Sequence, residues 1–132
     1  MTMNSKSSVQ VEIASSATIR HLRGSAQKAR LVVDLIRGKG VEEALATLRH
    51  TRKTVAKDVL KVVASAVANA RVSKEDVDVD RLFISRACVD GGPSMKRIRP
   101  APMGRAFRIL RRSCHITIEL DERGPAPAGA GR

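Results

Sequence analysis

The apolar positions of this chain change their period along its length, and those changes divide it into helical and extended parts. Between Ser25 and Arg37, Leu31, Val32, Leu35 and Ile36 recur at i, i+1, i+4 and i+5, which predicts a helix capped by Ser25 with one apolar face. Gln27, Arg30, Asp34 and Arg37 take the other side, with Arg30 and Asp34 at ion-pair spacing. Gly38-Lys39-Gly40 ends it where a positive φ is needed. A second helix is expected over Val41 to Leu48, with Val41, Ala44, Leu45 and Leu48 inward and Glu42 and Glu43 in the first turn, where the helix dipole favours them. The longest helix runs from a Thr51 cap to about Val72. Its expected buried stripe is Val55, Val59, Val62, Val63, Ala66, Val67 and Ala70, with Ala56, Ala64 and Ala68 allowing close approach of neighbours.

Extended runs lie on both sides of these helices. Val9, Val11 and Ile13 alternate briefly with polar residues, and Ala17 to Leu22 reads as a strand leading to Gly24. Ser73 to Asp80 is an acidic connection without the central Gly and terminal Glu of a calcium loop. From Arg81 the period is two, with Leu82, Ile84 and Cys88 on one side and Phe83, Ala87 and Val89 on the other. A return run from Phe107 ends in Ile116, Ile118 and Leu120, which can pack on the helices. Gly91, Gly92, Pro93, Pro100, Pro102 and Gly104 exclude a continuous helix between the two runs, so the segment reads as a long hairpin at about 88–108. Arms of about ten residues at ~3.3 Å each would reach on the order of 30 Å. The expected fold is α+β: a small antiparallel sheet packed against three helices, with a long protruding basic β-hairpin. Residues 17–120 form the single domain, 1–16 a flexible extension and 121–132 a disordered tail.

Charge gives this hairpin its meaning. Between Gly91 and Arg112 stand seven cations, Lys96, Arg97, Arg99, Arg105, Arg108, Arg111 and Arg112, and no carboxylate. No neighbour in sequence neutralises them, and Met95, Ile98, Met103, Phe107 and Ile109 among them are poorly placed in water. A net charge of +12 over 132 residues points to a polyanion, while 42% hydrophobic residues are enough for a core without disulfides or metal. With two Phe and no Trp or Tyr, the chain lacks stacking platforms for single strands. Phosphate and shape contacts to folded RNA fit it better than base readout, with DNA open on charge alone.

Other chemistry finds no support. G-G-P-S-M-K lacks phosphate-loop spacing, no nucleophile, base and acid cluster in sequence, and no enzyme activity is expected. Cys88 and Cys114 flank the hairpin and could meet across strands. Without a C-x-x-C or a nearby His pair they make no zinc site, and they read as small apolar residues; neither metal nor cofactor is expected. His21, His50 and His115 are scattered, and no apolar run approaches the ~18 residues of a membrane helix.

Four motifs in order then carry a resemblance: S-A-Q-K-A-R-L-V-V-D-L-I-R-G-K at Ser25 to Lys39, S-A-V-A-N-A at Ser65 to Ala70, D-G-G-P-S-M-K-R at Asp90 to Arg97, and G-R-A-F-R-I-L-R-R-S-C-H-I-T-I at Gly104 to Ile118. From about Ala17 to Leu120 the chain resembles the large-subunit ribosomal protein family called L twenty-two. The resemblance implies an α/β body on 23S-type ribosomal RNA beside neighbouring large-subunit proteins, a role in early subunit assembly in the cytoplasm, and a hairpin that forms part of the polypeptide exit tunnel beside the nascent polypeptide. The RNA-binding set is then Arg20, Arg23, Lys28, Arg30, Arg37, Lys39, the seven hairpin cations and His115. The tunnel-lining set is Met95, Lys96, Arg97, Ile98, Pro100, Ala101, Pro102, Met103, Gly104 and Arg105. One departure stands at the tip, where Ala101-Pro102 replaces the family's usual Arg and small residue, removing a cation and stiffening the turn.

Overall fold

The computed structural model describes residues 15–122. Its elements in order are β1 (Ser15–Arg23), α1 (Ala26–Ile36), α2 (Val41–His50), α3 (Thr54–Ser73), β2 (Leu82–Gly91), β3 (Met95–Pro100), β4 (Ala106–Arg111) and β5 (Ser113–Glu122). The brief alternation at Val9 to Ile13 lies outside the described residues, as does most of both expected terminal extensions. At their inner ends the boundaries move outward. Ser15 is buried in β1 and donates its hydroxyl to the Ala66 carbonyl of α3, and Asp121 is buried in β5.

β5 is the central strand of an antiparallel sheet of order β1-β5-β2. Its alternation is strict: Cys114, Ile116, Ile118 and Leu120 are fully buried, while His115, Thr117 and Glu119 face the other side of the sheet. The helices lie on the buried side. α3 supplies Ala56, Val59, Val62, Val63, Ala66, Val67 and Ala70, and α2 supplies Val41, Ala44 and Leu48. The α1–α2 turn is pinned to β2, with Gly38 N–H donating to Ile84 O and Ile84 N–H donating to Lys39 O, both at 3.0 Å. Gly38 has φ +79°, the left-handed conformation that glycine takes without a Cβ penalty.

The structure corrects several details of the sequence reading. α1 buries Ala29, Val32, Val33 and Ile36, while Leu31 and Leu35 are 61% and 46% exposed. The i, i+3, i+4, i+7 set forms the straighter stripe, and its smaller residues let the helix sit closer to the sheet. Ser25 occupies the N-cap position of α1 without a side-chain cap bond. Thr51 closes α2 rather than opening α3: its hydroxyl donates to Thr47 O at 2.7 Å, where the helix end leaves carbonyls unpaired. α3 therefore starts at Thr54. Val55 is only partly buried, Ala56 joins the core, and Ala64 and Ala68 lie on the exposed side.

In β2 the expected faces exchange partway. Leu82 and Ile84 point to the core, and beyond them Ala87 and Val89 do so, because a bulge between Ile84 and Arg86 gives β2 one extra residue against β5. Ser85 is that residue, and its hydroxyl donates to Glu119 O. A corresponding irregularity in β1 falls between Ile19 and Leu22, with His21 at φ +57°.

Replacing Val63 with Asp places a carboxylate without a partner among fully buried side chains. A loss of several kcal/mol is expected, against a total stability of roughly 5–15 kcal/mol. Urea unfolding followed by circular dichroism checks it; an unchanged midpoint means that this face of α3 is not the core.

Candidate nucleic-acid interface

Beyond the sheet, β3 and β4 pair as a separate two-stranded ribbon in which all twelve residues are exposed. Six pairs at about 3.3 Å per residue extend the ladder by roughly 20 Å, less than the reach of two ten-residue arms. Far less of the segment is irregular than its glycines and prolines suggest. Gly92-Pro93-Ser94 on one side and Arg112 on the other separate ribbon from sheet, and the turn holds Ala101–Arg105.

The register explains how so many cations share one ribbon. Met95 stands opposite Arg111, Lys96 opposite Leu110, Arg97 opposite Ile109, Ile98 opposite Arg108 and Arg99 opposite Phe107. Each of these pairs joins a cation to an apolar residue. No two cations are directly opposed, so like-charge repulsion across the ladder is avoided and the aliphatic stems can cover apolar neighbours. Directly opposed residues share a face, so one face carries Arg97, Arg99 and Arg111 with Met95, Phe107 and Ile109. The other carries Lys96 and Arg108 with Ile98 and Leu110. Pro100 pairs with Ala106 at the ladder's end, where an unfilled N–H position costs little. At the tip Met103 and Gly104 take consecutive left-handed conformations, φ +63° and +67°, and Met103 is 94% exposed.

The base of the ribbon is built tightly. Gly92 N–H donates to Ser113 O at 2.8 Å, and the Ser113 hydroxyl donates to Pro93 O. A Cβ at Gly92 would stand 2.6 Å from Ser113 Oγ and 3.2 Å from the His115 ring, which accounts for glycine there. His115 Nδ1 accepts from the backbone N–H of His21 at 3.0 Å, and the two rings meet edge to face at 5.0 Å. That bond requires the tautomer with its proton on Nε2. The sequence marks His21 only as one more positive residue. Its role at the β1 bulge depends on a positive φ that nothing in the sequence signals.

The fourteen proposed RNA-binding residues do not gather in one place: His115 sits at the ribbon base, Arg37 at the end of α1, and Lys96 on the ribbon, none of them lining a cleft. Arg23, Lys28, Arg97, Arg111 and Arg112 line one cleft of about 750 Å³ with His21, Gly24, Ser25, Pro93, Met95, Leu110 and Ser113. Arg30 and Arg112 line a neighbouring cleft of about 370 Å³ with Ser25, Ser94 and Ser113. Arg99, Arg105 and Arg108 lie farther out on the ribbon and its turn. Arg20 and Lys39 line neither cleft.

Arg30 and Arg37 have a structural task as well. Arg30 donates from Nε and Nη2 to Val89 O, and Arg37 from Nη2 to Ala87 O at 2.8 Å, so both fasten α1 to β2. Asp34 bridges to Arg37 at 3.3 Å rather than to the expected Arg30. The cysteines do not face each other: Cys88 pairs with Thr117, and Cys114 with Gly91 and Leu22. Burial, with the nearby Asp58 charge, pushes the Cys114 thiol up from its ordinary value.

Comparison with known proteins fits this arrangement. The model of the family described as Ribosomal protein L22p/L17e matches residues 17–121. The chain is 57% identical over 107 residues to the large ribosomal subunit protein uL22 of Solibacter usitatus, covering 81% of this chain and 95% of that one. It is 53% identical over 112 residues to the large ribosomal subunit protein uL22 of Koribacter versatilis, covering 82% of this chain and 67% of that one.

The arginine geometry separates fold from interface. Arg30→Ala or Arg37→Ala should lower stability by about 1 kcal/mol each, the scale of a partly exposed charged hydrogen bond. Arg97→Ala and Arg99→Ala should leave stability unchanged, because their side chains are exposed and lie outside the core. Thermal denaturation of the four single variants checks this; equal midpoints for all four would show that the α1–β2 bonds contribute nothing.

Proposed function

The chain belongs to the ribosomal protein L22p/L17e family and is a structural, non-enzymatic component of the cytoplasmic large ribosomal subunit; from that premise we propose that it binds 23S-type ribosomal RNA, supports subunit assembly and lines the exit tunnel with its ribbon. The observation that carries this reading is the β3–β4 ladder, fully exposed, with a cation in five of its six pairs and no carboxylate between Gly91 and Arg112. An isolated two-stranded ribbon is marginal in water. Phosphates supply both the missing countercharge and the walls against which such a ribbon becomes rigid.

The body has a different part. Arg20, Arg23, Lys28, Lys39 and the ribbon-base cations hold it on the RNA, beside neighbouring large-subunit proteins. The ribbon strand Met95–Pro100, from its root outward, and the turn through Arg105 reach the tunnel wall and meet the nascent polypeptide. The tip offers that polypeptide Met103 and a proline-stiffened turn, with Arg105 as its cation. Every residue of β3 and β4 is exposed, so the ribbon contributes nothing to the buried core and can be shaped by its RNA surroundings alone.

Two measurements test this. If about six cations neutralise phosphates, the logarithm of the RNA-binding constant should fall with log salt at a slope near −5, taking ~0.9 per contact. Alanine at Lys96, Arg97 and Arg99 together should flatten the slope by about two to three units. An unchanged slope would place these residues away from phosphate.

Deleting residues 95–111 should leave a folded body, because no buried residue is removed and Pro93 already lies within hydrogen-bond reach of Ser113. The shortened protein should still sediment with the large subunit in high salt, while translation of a tunnel-stalling peptide changes. Normal stalling refutes the tunnel role. Absence from the subunit makes the ribbon, rather than the body, the principal RNA anchor.

A further inference from the structure

The 750 Å³ cleft at the ribbon base has a composition that phosphate contact alone does not explain. Five cations from three parts of the chain converge on it: Arg23 at the end of β1, Lys28 on α1, and Arg97, Arg111 and Arg112 from the ribbon and its junction. Between them lie Pro93 and Met95. Met95 is 57% exposed, so the cleft offers apolar surface to whatever enters it. Its back is closed by main chain, with Gly24 N–H donating to Arg112 O at 3.1 Å.

A paired RNA helix satisfies only half of this surface. Its outside presents phosphates, sugars and the 2′-hydroxyls of a shallow groove, while its base faces are stacked on one another. Phosphates could reach the cationic rim, but Pro93 and Met95 would lose water against polar groups. An unpaired nucleotide has what both parts need: a flat, largely apolar base face for the floor and a phosphate on each side for the rim. Guanidinium planes can also stack on bases, which offsets the chain's lack of Trp and Tyr. The volume lies within the roughly 300–1,000 Å³ of sites that enclose small ligands.

We propose that this cleft holds a single unpaired nucleotide turned out of its helix in the ribosomal RNA, with the base over Pro93 and Met95 and its flanking phosphates against Arg23, Lys28 and Arg112. The inference rests on the RNA-binding reading above and names the RNA feature that the ribbon base recognises. In this site a base-sized plug braces the ribbon at its root when RNA is bound. Arg97 folds back over Met95, with Nη2 3.7 Å from Sδ, and closes the outer side of the cleft.

The test uses the full chain in assembled large subunits. A diazirine amino acid is placed at position 95 and, as a control, at position 98, which is exposed on the ribbon but does not line the cleft. After irradiation, the cross-linked RNA is mapped by primer extension. The expected result is one cross-link from position 95 to an unpaired nucleotide, absent from position 98. In subunits carrying Met95→Asp, the base of that nucleotide should become severalfold more reactive to base-specific chemical probing.

Cross-links from position 95 to paired nucleotides only, to a neighbouring protein, or to nothing would overturn the proposal. So would a base reactivity that Met95→Asp leaves unchanged. Incorporation into the subunit is scored separately by sedimentation. A wild-type chain that does not sediment with the subunit defeats the RNA-binding reading itself, whereas a chain that sediments without the position 95 cross-link defeats only the nucleotide site.

Discussion

The burial of one face of β5 is the interaction on which the other parts depend. Ile116, Ile118 and Leu120 are fully enclosed, each contributing about 1.5–3 kcal/mol relative to exposure, and Cys114 completes the row. Because β5 is central, the same residues fix β1 on one side and β2 on the other, and they present the surface on which α3 lies. A one-residue slip of β5 would turn that row into solvent, so the register is strongly specified. The ribbon begins immediately before this strand, with only Arg112 between β4 and β5. Its base is therefore held by the best-buried part of the molecule, although nothing in the ribbon is itself buried.

This division lets charge be used in two ways. On α1, Arg30 and Arg37 spend hydrogen bonds on β2 carbonyls and lock a helix to a sheet. On the ribbon, Arg97 bonds only within its own strand, to Lys96 O and Met95 Sδ, and the ladder sets each of its cations against an apolar residue. Like charges opposite one another would destabilise a structure already marginal for its size. The alternation also leaves both faces of the ribbon mixed. Neither is an apolar face that would drive collapse onto the body, and each has a cation to offer a polyanion.

The parts of this design carried by periodicity were legible in the chain. The valine and alanine stripe of α3, the alternation of β5 and the carboxylate-free run between Gly91 and Arg112 each follow from one-dimensional spacing. What could not be read depends on geometry between elements. The Ser85 bulge reverses the inward face of β2 halfway along, and it arises in the pairing with β5 rather than from any marker residue. Leu31 and Leu35 are the bulkier pair on α1, yet the helix turns its smaller row inward where it meets the sheet. The cleft at the ribbon base was hidden for the same reason. Arg112 is far in sequence from Arg23 and Lys28 and joins them only when β1, α1 and β5 are assembled.

The two bulges then acquire a shared consequence. An extra residue increases local twist and bends its strand, and here one occurs in each strand that flanks β5. The β1 bulge brings His21 N–H to His115 Nδ1, next to Gly92, where any Cβ would strike Ser113. The contacts at the ribbon root thus run through a left-handed histidine, a glycine with no room for a side chain, and a serine that donates to Pro93. The donors in these bonds are backbone N–H groups and a hydroxyl. The ribbon's direction is set by short, directional bonds at its base, and its cations remain available along its length for whatever polyanion surrounds it.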